Sequence, residues 1–227
     1  MMKHWKKAAV VVICLVFAGA VITGCSAKDS DFQQKYYTAE SLTVRNIEID
    51  VTDRKILLSP SPDDRVHIRY YESEKEYYSI DLLEENTLKI SCKTNKEWLD
   101  YIGSKPDVLY HTVELMIPDG MLSSLKITTT NEDLLLPALE ADDISVSVNG
   151  GDIEFEMLSV GKTLHLEAKN GDIRGTVVGG YDDFSISAEV KKGECNLPKY
   201  KDGGSKILTV SANNGNVEIE LEKVAQS

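Results

Sequence analysis

Five oxygen-bearing residues return along the C-terminal half of this chain at nearly constant spacing: Asp133, Asp152, Asp172, Glu194 and Asn216, in steps of 19, 20, 22 and 22. Four are carboxylates, and carboxylates gathered by a repeat have three chemical uses. Two across a cleft can work as acid and base on a glycosidic bond. Several converging oxygens can hold a hard divalent cation. Alternatively, each accepts the backbone N–H groups of its own corner, as in an Asx turn. The setting favours the last. The residues stand in Asn131-Glu132-Asp133-Leu134, Asn149-Gly150-Gly151-Asp152-Ile153, Asn170-Gly171-Asp172-Ile173, Lys192-Gly193-Glu194-Cys195 and Asn214-Gly215-Asn216-Val217, and Asn216 shows that an amide suffices there.

Other reactive side chains are sparse. The sequence has no nucleophile elbow, no H-E-x-x-H helix, no phosphate-binding loop and no dinucleotide fingerprint. His67 and His165 alternate outward between Val66/Ile68 and Leu164/Leu166, and His111 leaves a loop; all three read as solvated surface histidines. Cys92 and Cys195 continue the apolar phases Leu88/Ile90/Cys92 and Cys195/Leu197, as small buried hydrophobes do. Whether they pair is left open, and no second Cys or His stands at metal-ligand spacing. No catalytic residue, metal or cofactor is therefore expected.

Cys25 is the exception. Lys3, Lys6 and Lys7 precede an uncharged apolar run over 8–21, and Ile22-Thr23-Gly24-Cys25 closes it. That ending resembles the lipobox of bacterial lipoproteins, in which the leader is removed and the thiol becomes a diacylglyceryl thioether. The alternative is a signal-anchor helix with an incidental cysteine. Two acyl chains, at about 0.8 kcal/mol per buried CH₂, anchor durably where one does not. The resemblance implies residues 1–24 as signal peptide, a membrane partner through the lipid on Cys25, and a place on the outer face of the cytoplasmic membrane. Removing that leader takes three of 25 basic residues and none of 37 acidic ones, which moves the formal charge from −12 to −15. Such a surface repels nucleic acid, which is excluded as a partner.

Residues 25–39 are polar and aperiodic, a tether. From residue 40 alternating runs follow one another, Ile47/Ile49/Val51, Ile56/Leu58, Val66/Ile68/Tyr70, Tyr78/Ile80/Leu82, Leu88/Ile90 and Val113/Leu115/Ile117, each with the two-residue period of a strand. Loop 93–110 breaks the rhythm and carries Trp98, Tyr101 and Tyr110. Aromatics on a loop held by a β scaffold are candidate contact residues; the bland alternative is that Trp98 plugs an open end of the core. Asp152 and Asp172 complete the candidate binding surface.

The repeat over 121–222 has inward sets Leu125/Ile127, Ile144/Val146/Val148, Leu164/Leu166/Ala168, Phe184/Ile186/Ala188 and Leu208/Val210/Ala212, with Val190-Lys191 reading as a two-residue insertion. Two packings satisfy it. Asn-Gly corners could close hairpins pairing Val146 with Ile153 and Ala168 with Ile173 in an antiparallel meander or sandwich. Or each repeat is one rung of an all-β parallel solenoid, stacked on the next and continuous with the β region over 40–120. The fixed period with the same residue type at each corner favours stacking. The succession of "IEIDV", "VHIRYYE", "TLKI", "VELMIP", "LKITTTNEDLLL" and N-G-D-I corners over about 40–222 resembles the bacterial putative-adhesin domain family. The resemblance implies a β-solenoid and a non-enzymatic cell-envelope role in adhesion or stress response, with an envelope protein or glycan as partner. The competing reading is a polysaccharide-active β-helix enzyme using the acidic corners.

Overall fold

In the computed structural model of the chain, residues 31–39, 44–101 and 106–223 are described. The strands are β1 (Gln33–Thr38), β2 (Asn46–Asp50), β3 (Lys55–Pro60), β4 (His67–Glu72), β5 (Glu76–Leu83), β6 (Thr87–Thr94), β7 (Thr112–Ile117) and β8 (Ser124–Thr129). They continue as β9 (Leu134–Leu136), β10 (Leu139–Gly150), β11 (Ile153–Asn170), β12 (Ile173–Val178), β13 (Phe184–Lys192), β14 (Tyr200–Lys201), β15 (Lys206–Asn214) and β16 (Val217–Glu222). Together they make one curled, largely parallel all-β sheet. The expected signal peptide and Cys25 lie outside the described residues.

The register explains why the alternating runs pack. Each strand–corner–strand unit forms a rung with one arm on each side of the curl. On one side the order is β5, β6, β2, β8, β10, the second half of β11, β15 and β13. On the other it is β1, β4, β7, β3, β9, the first half of β11, β12 and β16, with Cys195 bridged beyond Val217. Val146 lies beside Ile127 and Leu166, and Ala168 beside Val148 and Ala212, so the corners do not close hairpins. Antiparallel pairing is confined to the ends, where β1 meets β4, β4 meets β7, β5 meets β6 and β14 meets β13. All five inward sets of the repeat are buried, and they join Ile47, Ile49, Leu88, Ile90, Val113 and Leu115 in one core.

The rungs do not stack in chain order. The last repeat, β15/β16, lies directly on β11 and β12, 44 residues earlier in sequence (Leu164 beside Leu208, Ile173 beside Val217), and the fourth repeat lies outside it. The N-terminal end mirrors this. The β2/β3 rung touches β8 and β9, while the later β6/β7 rung lies outside it. Nor is Val190-Lys191 an insertion: Val190 stands opposite Ala212 and Lys192 opposite Asn214, and the additional inward residue is Phe184, at the strand start. Gly175 fills the gap in the inward phase of β12, because it sits opposite Phe155 and a Cβ there would come within 2.3 Å of that ring.

Cys92 and Cys195 occupy the outermost rungs at opposite ends. Six strand spacings of about 4.8 Å separate those rungs, far beyond the roughly 7 Å reach of a disulfide. Both thiols are free and only partly buried.

Candidate functional site

The acidic corners are a ladder of bonds between rungs. Asp133 Oδ1 accepts the Asp152 N–H (2.9 Å), Asp152 Oδ1 the Asp172 N–H (2.7 Å), Asp172 Oδ1 the Asn216 N–H (2.7 Å), and Asn216 Oδ1 the Glu194 N–H (2.9 Å). This corrects two expectations. Each side chain serves the corner of the neighbouring rung instead of its own, and Asn216, not Glu194, follows Asp172. Backbone bonds run alongside, from Ile153 N–H to Asp172 O and from Ile173 N–H to Asn216 O, both 2.8 Å. The corner glycines let the rungs approach this closely: a Cβ on Gly171 would lie 2.0 Å from Gly151 O.

Such a ladder has little left for other chemistry. The bond from the Asn216 N–H, reinforced by Arg174, holds the Asp172 carboxyl below its ordinary range, the opposite of what a general acid needs. No group of acidic, His and Cys side chains among the described residues could hold a metal ion. Asp172→Asn is therefore expected to change stability by less than about 0.5 kcal/mol, and Asp172→Ala to cost about 1 kcal/mol, because it orphans the Asn216 N–H. Calcium should leave the melting temperature of parent and variants unchanged, and a calcium-dependent rise lost in Asp172→Asn would contradict the ladder.

The second constellation was not anticipated. Glu76, at the start of β5, is 4% exposed, and its carboxylate faces three basic side chains: Arg54 from the corner before β3, and Lys96 and His111 from the two ends of the loop between β6 and β7. Lys96 Nζ pairs with Oε1, Arg54 pairs with Oε2, and His111 Nε2 lies 3.3 Å from Oε2. Arg54 also donates to the Tyr78 hydroxyl at 2.9 Å and to the carbonyls of Thr52 and Asp53. Burial alone would raise the Glu76 carboxyl; His111, Lys96 and Arg54 reverse that and hold it well below the carboxylate range. Burial pushes the Tyr78 hydroxyl up. His111 is thus a half-hidden partner of Glu76, not the solvated histidine expected. A charged residue in the inward phase of Tyr78 and Ile80 was the one signal of this cluster in the sequence.

Between its two pinned ends the described parts of the loop are two short turns, Trp98–Tyr101 and Val108–His111. Asp100 accepts the Glu97 N–H and pairs with Lys75, while Asp107 accepts the Leu109 N–H at 2.8 Å. Trp98 is 72% exposed, so it does not plug the core, and Leu99, Val108 and Leu109 are exposed with it. Tyr110 is less available: its ring stacks on Phe32 at 5.3 Å and meets Tyr71 edge-on. The Tyr101 side chain lies outside the described residues. Asp152 and Asp172 belong to the corner ladder.

This rack of parallel rungs with one enlarged corner matches the Toastrack DUF4097 family model over residues 44–220. The chain belongs to the toastrack family. No curated protein sequence matches it. The toastrack fold is shared with the crystal structure of a putative cell adhesion protein from Clostridium sporogenes, which is 12% identical with a TM-score of 0.51, over 84% of this chain and 100% of that one. A putative adhesin from Bacteroides fragilis is also 12% identical, with a TM-score of 0.33 over 84% of this chain and 97% of that one. A putative lipid binding protein from Parabacteroides distasonis is 11% identical, with a TM-score of 0.33 over 82% and 96%. At 12% identity the likeness to the Clostridium sporogenes protein is one of fold. Strand β1 and Phe32 precede the segment that the family model matches.

Proposed function

We propose that this chain is a non-enzymatic contact module of the bacterial cell envelope. Its anchor is a lipid on Cys25, and the rigid toastrack presents the loop of residues 95–111. The observation that carries this reading is the loop itself. Lys96 and Asp100 turn onto Glu76 and Lys75 and Asp107 caps its own turn, while Trp98, Leu99, Val108 and Leu109 are exposed. Large apolar side chains held outward on capped turns mark a contact surface. The acidic corners, consumed by the ladder, offer no comparable reason to read an enzyme.

A photo-crosslinking amino acid placed at position 98 of the full chain in cells should capture an envelope component. The same group at position 154, on the outer side of β11, should capture none. Equal capture at both positions, or none at 98, would refute the reading.

A further inference from the structure

The described chain begins beside the contact loop. Asp31, Phe32 and Gln33 line the same cleft, about 510 Å³, as Lys96, Asp100 and Pro106. Gln33 stands opposite Glu72 and Thr38 opposite His67, so β1 enters from the edge of the sheet that carries the corners and the loop. The Phe32 ring, stacked on Tyr110, fixes that entry against the loop. Between Cys25 and Asp31 lie six residue steps, which at about 3.5 Å each reach no farther than roughly 21 Å.

We infer that the described parts of the loop, 95–101 and 106–111, dock on the bilayer to which the chain is anchored, with Trp98, Leu99, Val108 and Leu109 seated in the lipid interface. The inference rests on the anchor at Cys25 and on the loop as contact surface. Two independent features favour lipid over other occupants. The short tether keeps the loop beside the membrane, and four large apolar side chains stand exposed on it while Lys96, Asp100 and His111 are engaged by Glu76 and Lys75, which suits surroundings less polar than water. Tryptophan is enriched at that depth, where its ring meets acyl chains and its N–H meets headgroups. Electrostatic attraction is not the driving term. The chain is strongly acidic, and the loop carries Glu97, Asp100 and Asp107 against Lys96 and Lys105, an excess of one acidic residue. A neutral interface is the fitting partner, and the contact should persist in high salt.

The test uses the full chain with Trp5→Phe, which makes Trp98 the sole tryptophan whether or not the leader is removed. It is reconstituted in phosphatidylcholine vesicles that carry bromines near the top of one acyl chain. Trp98 emission should shift to the blue and be quenched at least about two-fold relative to unbrominated vesicles, as for an interfacial indole. Adding Leu99→Glu and Leu109→Glu should abolish both effects without lowering the melting temperature. The mass of the N-terminal peptide reads the anchor separately. Unmodified Cys25 with quenched Trp98 in floated vesicles defeats the anchor and keeps the docking. Acylated Cys25 with unquenched Trp98 overturns the docking, whether aqueous iodide reaches the ring or a second copy shields it. Protein that does not float with the vesicles overturns both.

Discussion

Replacing Glu76 by alanine should lower the unfolding free energy by about 3–5 kcal/mol, because it leaves Arg54 charged and unpaired where it is 3% exposed. Lys96 and His111 lose their contact with Glu76 in the same step, so hydrogen exchange over 95–111 should accelerate in the folded variant. Paired replacement, Glu76→Leu with Arg54→Met, should recover most of the stability, since an apolar pair of similar volume avoids the desolvation cost. It should not recover the ordered loop. The pH dependence follows from the direction of the shift. A carboxyl held below its unfolded value near 4.3 contributes stability that is fully present above that value and fades as pH falls towards the folded one. Stability of the parent should therefore decline below about pH 4.5 more steeply than that of Glu76→Gln, as read from urea midpoints across that window. Equal slopes, or an alanine variant as stable as the parent, would show that the cluster holds nothing.

The second large effect concerns which repeat can be lost. Ending the chain after Ser205 removes β15 and β16 and with them Leu208, Val210, Val217 and Ile219, all buried within the stack. At about 1.5–3 kcal/mol each, that is about 6–12 kcal/mol, comparable with the whole stability of a domain. The truncated chain should not unfold cooperatively. Excising 184–205 instead joins Asp183 to Lys206, the register neighbour of Phe184, and removes an outer rung with two large fully buried side chains, Phe184 and Ile186. This shorter chain should still melt cooperatively, at a lower temperature. Stacking in chain order would give the reverse ranking, and circular dichroism melts of the two deletions decide between them.

Much of this fold is legible locally. Ile144/Val146/Val148 and Leu164/Leu166/Ala168 show their inward faces by period alone, and a constant step with Asp at each corner favours parallel rungs over hairpins, because a ladder of side-chain oxygens needs like residues at like heights. The rung order was not legible. The steps into the fourth and fifth repeats are both 22, so nothing local says which of them meets β11. The Glu76 cluster gathers residues 20 to 35 positions from Glu76 through the β2/β3 and β6/β7 rungs, so it depends on that same order and stays hidden with it. Trp98 was legible as an aromatic on a loop, and its exposure follows from Lys96 and His111 turning inward beside it.

The exchanged order at both ends also constrains how this architecture can change length over evolution. A stack in chain order grows by tandem duplication anywhere, including at its termini. Here parallel rungs that follow one another in sequence stack on one another only from β8 through β12, and each end is closed by a rung inserted out of turn. A duplicated unit can be accommodated in that middle stretch without disturbing either closure, whereas one added after β16 would meet the segment of Cys195 and Asn196 that already lies against Val217 and Ile219. Longer and shorter members of the family should accordingly differ in the number of central units, with the two end exchanges retained.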